Sequence, residues 1–158
     1  MNNDQALRDH LQYLLEGKGA HAGFDDTVND FPAALRGRRP DGSPHSAWEL
    51  LEHLRLAQWD ILDYIRNPDY VAPEFPAGYW PASPEPPNEQ AWDESVAAFH
   101  ADVAALRALV AEGDLLAPIV YAKNATIVGQ VLLAADHNAY HLGQLLLVRR
   151  LLGAWDHS

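Results

Sequence analysis

The chain has no cysteine. Disulfides, thiolate zinc sites, iron–sulfur clusters and cysteine nucleophiles are thereby excluded. Basic residues are scarce: eleven Lys and Arg against twenty-two Asp and Glu leave a net charge of −11 at pH 7. Nucleic acids and anionic membranes are both held by clustered Lys and Arg, so neither is an expected partner. No apolar run approaches the roughly 18 residues of a membrane span, which excludes a transmembrane helix. The opening Met1, Asn2, Asn3 and Asp4 offer neither a basic n-region nor an apolar h-region, so a signal peptide is not expected and a cytoplasmic protein is. Also missing are a Gly-x-Ser-x-Gly elbow, a P-loop, a dinucleotide fingerprint and the Glu-x-x-His pairs of a di-iron bundle.

What remains is a chain of 158 residues, 48% hydrophobic, enough for one domain spanning 1–158. A domain of this size buries roughly 70% of the surface its unfolded form exposes. The apolar residues recur with helical period, and strand-like alternation is absent. Leu7, Leu11, Leu14 and Leu15 mark a first helix, loosened by Gly17, Gly19 and Gly23. Phe24, Val28 and Phe31 then resume the period, giving one interrupted helix or two short ones. A second helix starts at the capping box of Ser46 and Glu49, runs through Trp48, Leu51, Leu54, Leu62 and Ile65, and ends at Pro68.

Residues 68–87 hold seven of the eleven prolines and are expected to be extended. Twenty such residues reach roughly 60 Å at about 3.1 Å each. That is twice the roughly 30 Å of a twenty-residue helix, so the chain can return along the whole bundle. Asn88 is placed to cap a third helix with Val96, Phe99, Val103, Leu106 and Val110 on its inner face. A fourth runs from about Ala125 to Leu152 and stops at Gly153. The expected fold is all-α, a four-helix bundle with a long Pro-rich crossover between helices 2 and 3.

Eight histidines are many for this length. His137 and His141 are spaced i, i+4, on one face and one turn apart, close enough to grip one metal ion. With eight histidines placed at random, roughly 0.4 such pairs arise by chance, so two solvated ring systems remain an alternative. The neighbours add weight. Gln130, Ala134, His137, His141, Gln144 and Val148 form one narrow stripe, flanked by Leu133, Leu145 and Val148, and are expected to face the core. Imidazoles and amides inside a bundle are costly unless they serve a ligand, an ion or a closed hydrogen-bond network.

The second helix offers His53, on a stripe with Glu49, Ala57, Asp60 and Tyr64. His53, His137 and His141 together would make a three-imidazole site with coordination positions left for water or substrate. Neutral imidazole suits zinc, nickel, copper or ferrous iron. Glu49, Asp60 and Gln144 are candidates for orienting the rings or contacting bound water or substrate, with capping the simpler role for Glu49. Tyr79 and Trp80, inside the proline-rich segment, either roof a pocket or anchor the segment by packing. His10, His45, His100 and His157 are expected outside the site, and so is His21 unless the first helix bends at Gly19 and brings it closer.

The runs Trp48–Gln58 on the second helix and Ala135–Gln144 on the fourth, the latter continuing through Arg149–Trp155, resemble the DinB-like family. The resemblance extends over nearly the whole chain, and the fourth-helix motif is its specific part. It implies a bundle of up-down-down-up connectivity and a divalent metal on three histidines, which fall on His53, His137 and His141. It also implies a homodimer. Gln130 departs from the family, standing where an acidic residue is usual, which removes an acid–base role from that position. Some relatives are thiol-dependent transferases or isomerases working with bacillithiol or mycothiol. The resemblance therefore implies a metal-dependent enzyme that joins a low-molecular-weight thiol to small electrophiles; the helix stripes add Gln144 or Asp60 as catalytic candidates that would position water or substrate. The alternative is a stress-associated metal-binding protein without turnover.

Overall fold

The structure, a computed structural model, describes residues 2–17, 19–122 and 124–155. It is helical, and among the described residues the only β pairing is an isolated bridge between Pro118 and Thr126. The interrupted first helix resolves into α1 (Asn3–Leu15) and a five-residue α2 (Phe24–Val28). The side chain of Asn2 accepts from the amide of Gln5 at the start of α1, and Gly17 takes a left-handed φ of 63° just past its end. Leu11 and Leu15 are buried, whereas Leu14 is on the exposed side.

The capping box forms as its sequence requires. Ser46 Oγ accepts from the amide of Glu49, and the Glu49 carboxylate accepts from the amide of Ser46, opening α3 (Ala47–Arg66). Glu49 is also paired with Arg39. Residues 67–90 then contain no α-helix; their one regular element is a 3₁₀ turn over Ala77–Tyr79. Asn88 Oδ1 accepts from the amides of Gln90 and Ala91, and α4 (Ala91–Glu112) begins there, three residues after the capping side chain. Thr126 caps α5 (Ile127–Leu151), and Gly153, at φ 70°, follows its end.

Helix α3 packs against both α4 and α5, and α1 lies against α4 and α5. The buried core falls into two clusters. One joins Trp48, Leu51 and Leu54 of α3 to Trp92 and Phe99 of α4 and to Leu145 and Val148 of α5. The other joins Ile61, Leu62 and Ile65 of α3 to Leu106 and Val110 of α4, Val131 and Ala134 of α5, and Leu11 and Leu15 of α1. On α3 the break between them falls at residues 55–60, and on α5 at residues 135–144. His53 sits at the edge of that break, and His137 and His141 lie within it. Between the two apolar clusters runs a polar layer, and the candidate site occupies it.

The α5 stripe is not wholly inward. Ala134 and Val148 are buried, but Leu133, expected as a flank of the core, is 50% exposed. The stripe lies at the boundary between core and solvent, with His137 and His141 half-buried. Arg149 ties α2 to α5 from inside, donating to the carbonyls of Asp26, Thr27 and Asn29. No helix among the described residues is long and apolar enough to cross a membrane.

Candidate metal centre

Helix α3 delivers His53, and α5 delivers His137 and His141 from adjacent turns. Their ligand nitrogens all lie within 4.8 Å of one another. Nε2 of His53 stands 3.1 Å from Nε2 of His141 and 3.1 Å from Nε2 of His137. Two nitrogens each about 2.0–2.1 Å from one zinc-sized ion are separated by roughly 3 Å, so the spacing fits a shared ion.

The outer nitrogens decide what the inner ones can be. Nδ1 of His53 lies 2.8 Å from the backbone oxygen of Tyr79. A carbonyl only accepts, so this nitrogen carries the proton and Nε2 of neutral His53 is a bare lone pair. Nδ1 of His141 lies 2.8 Å from Oε1 of Gln144, with the same consequence. Nδ1 of His137 is buried and has no partner at ideal hydrogen-bond geometry, and neither does the neighbouring Oδ1 of Asn138. The Asn138 side chain nonetheless favours the charged form of His137, as an acceptor beside that ring does. The bare lone pairs of His53 and His141 face each other beside Nε2 of His137, and repel. A cation between them removes the conflict, and the donor set fits a divalent metal.

Electrostatics hold the rings neutral. Burial lowers the His137 pKa to about 4, helped by the neighbouring rings of His141 and His53 and opposed by Asn138. His53 is pushed below its ordinary value by burial, against the opposing bond to Tyr79. For His141 burial again leads, followed by the charge of His53. At neutral pH all three rings are therefore neutral, as metal ligation requires.

A layer of partners surrounds the rings. Trp80 stacks on His53, with centroids 4.0 Å apart and planes 2° from parallel, and its other face stacks on His45 at 4.0 Å. Tyr140 meets His141 edge-on at 4.9 Å. Asp60 does not reach the rings. Its two oxygens accept from the phenols of Tyr70, at 2.8 Å, and Tyr79, at 3.0 Å. It pins the linker whose Tyr79 carbonyl holds His53, and so touches the centre only through that residue. Gln144 orients His141, and Glu49 serves the helix cap and Arg39.

Asn138 and Gln58 were not among the residues singled out from the sequence. Nδ2 of Asn138 donates to Oε1 of Gln58 at 2.7 Å, linking α5 to α3 behind His137. The signal was present: Gln58 interrupts the apolar progression Leu54, Ile61, Ile65 and is fully buried. Of the other histidines, His10 and His21 are exposed, and His100 pairs with Asp25 at the surface. His45 is nearer than expected, one indole away from His53. His157 lies outside the described residues. Two cavities, of about 390 and 580 Å³, open nearby: one beside Leu54, Phe99 and Asn138, the other beside Trp48, Glu52 and Ser95. Neither is lined by a histidine of the cluster.

Searches of the curated proteins and of the solved structures each returned no significant match. A sequence model of the DinB superfamily matches residues 18–145, a stretch that contains all three clustered histidines. The chain belongs to the DinB superfamily.

Proposed function

We propose that this protein holds a divalent ion, zinc, nickel or ferrous iron, on His53, His137 and His141 and is a thiol-dependent transferase acting on small electrophiles. The fold that goes with this reading is a four-helix bundle of up-down-down-up connectivity, supported by the packing of α3 on α4 and α5 and of α1 on α4 and α5. The observation that carries the reading is the convergence of three imidazole nitrogens with no carboxylate in the cluster among the described residues. Such a donor set leaves coordination positions open, the arrangement of a catalytic rather than a structural site.

A divalent ion there supplies Lewis acidity, which lowers the pKa of a thiol and makes its thiolate available at neutral pH. The chain contributes the setting. Tyr79 and Gln144 fix the tautomers of His53 and His141, Trp80 shields one face of His53 from water, and burial keeps all three rings neutral. Having no cysteine, the chain offers no thiol of its own, and a small-molecule thiol fills that part. The test is conjugation of bacillithiol or mycothiol to a chlorinated aromatic electrophile by metal-loaded protein. Turnover above the uncatalysed rate, lost in His53→Ala, supports the reading; no turnover with any of the three metals overturns the transferase.

One observation favours a second reading. Neither of the two cavities is lined by His53, His137 or His141, which suits a stress-associated protein that binds metal without turnover. Stoichiometric metal without conjugation activity would select it.

A further inference from the structure

We propose that the cavity of about 580 Å³ between α3, α4 and the proline-rich linker is a binding site for a linear aliphatic polyamine, held by Ser95 and the carboxylates of Glu52, Glu85 and Glu94.

The cavity follows from the residues on two packed helices. Trp48, Glu52 and Arg55 of α3 line it, and so do Ala91, Ser95 and Ala98 of α4. Each set is spaced i, i+4, i+7, on one face of its helix. The α4 set is small, so the helices leave space between them. Pro81 and Pro87 of the linker supply a third wall. That segment is pinned twice. The Ser46 hydroxyl donates to the Pro84 carbonyl at 2.6 Å, and Asn88 Oδ1 accepts from the amides of Gln90 and Ala91. A cavity with fixed walls takes a ligand without rearrangement.

One polar group in the lining has no structural use. Ser95 is 2% exposed, and its hydroxyl has no hydrogen-bond partner among the described residues. A buried hydroxyl left unpaired destabilises the fold, and alanine would occupy the same place without that penalty. A ligand that bonds the hydroxyl accounts for its presence.

Charge selects the ligand. Three carboxylates, Glu52, Glu85 and Glu94, line the cavity against the single guanidinium of Arg55. Arg55 is committed to Glu52, with Nε 2.9 Å and Nη2 2.7 Å from Oε2. Oε1 of Glu52 receives only the longer contact from Arg55 Nε, at 3.2 Å, among the described residues. Acceptor capacity therefore remains on this buried carboxylate. Such a lining repels anions and attracts cations, on a chain whose net charge is already −11.

The apolar walls narrow the choice. A bare metal ion gains nothing from Trp48, Pro81, Pro87 and Ala98, whereas methylene groups do. The carboxylates come from three segments: Glu52 from α3, Glu85 from the linker and Glu94 from α4, the last two exposed at the mouth. A chain of methylenes carrying several ammonium groups meets both requirements, and its N–H donors suit Glu52 and Ser95.

The test is isothermal titration calorimetry of the full, untagged chain with spermidine, in about 150 mM salt so that diffuse attraction is screened. Spermidine is expected to bind one to one, at least about tenfold more tightly than butylamine or magnesium, and glutarate not to bind. Ser95→Ala is expected to weaken spermidine binding about tenfold, the scale of one hydrogen bond to a charged group. It should not lower the melting temperature, because the hydroxyl it removes is unpaired in the free protein. Ala98→Leu fills the cavity from α4 and is expected to abolish binding, with circular dichroism showing that the variant is helical. Chelator-treated, desalted protein is expected to bind spermidine as the untreated protein does, which separates this site from the metal reading. A wild type that gives no saturable heat with spermidine overturns the proposal, as does equal affinity for butylamine, magnesium or glutarate. So does spermidine binding that is unchanged in Ser95→Ala or Ala98→Leu, or lost on chelation. A lower melting temperature in Ser95→Ala also overturns it, since the hydroxyl would then hold the fold.

Discussion

His53 and His141 face each other through Nε2 atoms 3.1 Å apart, while the Nδ1 atom of each lies 2.8 Å from a carbonyl oxygen, Tyr79 O for one and Gln144 Oε1 for the other. The carbonyls take the ring protons, so the facing atoms are lone pairs. Two lone pairs at that distance repel, and a cation between them relieves the conflict. The relationship makes metal binding a consequence of second-layer hydrogen bonds as well as of three histidines in proximity.

Asp60 acts at one remove. It accepts from Tyr70 and Tyr79, and the Tyr79 carbonyl holds His53. Asp60→Ala frees the linker from α3 and is expected to weaken metal affinity about tenfold, the usual scale for losing an outer-shell partner. A competition titration against a chelating dye measures it. Unchanged affinity would mean that the linker holds the carbonyl in place without the clamp.

Asn138 and Gln58 form a buried amide pair at 2.7 Å between α5 and α3. Asn138→Ala leaves Gln58 buried without a partner, at a cost of about 1–3 kcal/mol in unfolding free energy. Replacing both, Asn138→Leu with Gln58→Leu, removes both polar groups and is expected to recover much of that loss. Urea denaturation of the single and double variants reads the difference, and equal losses would contradict the pairing.

Ser46→Ala removes the hydroxyl that caps α3 and also donates to the Pro84 carbonyl at 2.6 Å. Loss of an N-cap costs about 1 kcal/mol. The extra bond to the linker places this variant at or above that figure in the same denaturation assay.

Helix existence was legible because local chemistry sets it. The Ser46 and Glu49 box, the prolines after α3 and the glycine after α5 each act within one turn. The convergence of His53 with His137 and His141 was legible through i, i+4 spacing and one matching stripe. What was not legible depends on the path of residues 67–90. The linker's fold brings the Tyr79 carbonyl and the Trp80 ring onto His53, and it takes Asp60 away from the rings. A backbone oxygen leaves no mark on the sequence. The exposure of Leu133 was missed for a different reason: apolar periodicity on α5 runs nearly all the way round, so it does not distinguish the covered side from the outward one.

The metal-free protein should lose stability on acidification. His137 is held at about 4 in the folded state, and His53 and His141 are held below 6.5. Unfolded, all three titrate near 6.5, so below that value the unfolded chain binds more protons than the folded one. Their contribution is fully present above about pH 6.5 and is lost as pH falls towards 4. Melting temperatures of chelator-treated protein at pH 7.5 and 5 should differ more in the wild type than in His137→Gln. Equal slopes would contradict the burial of a neutral ring.

The central claim is that three converging imidazole nitrogens form a metal site. Elemental mass spectrometry of untagged protein, reconstituted in turn with zinc, nickel and ferrous iron and then desalted, tests it most directly. The account predicts near-stoichiometric retention of at least one metal by the wild type and its loss in both His53→Ala and His137→Ala. A wild type that retains none of the three metals would contradict it, as would variants that retain metal as well as the wild type does.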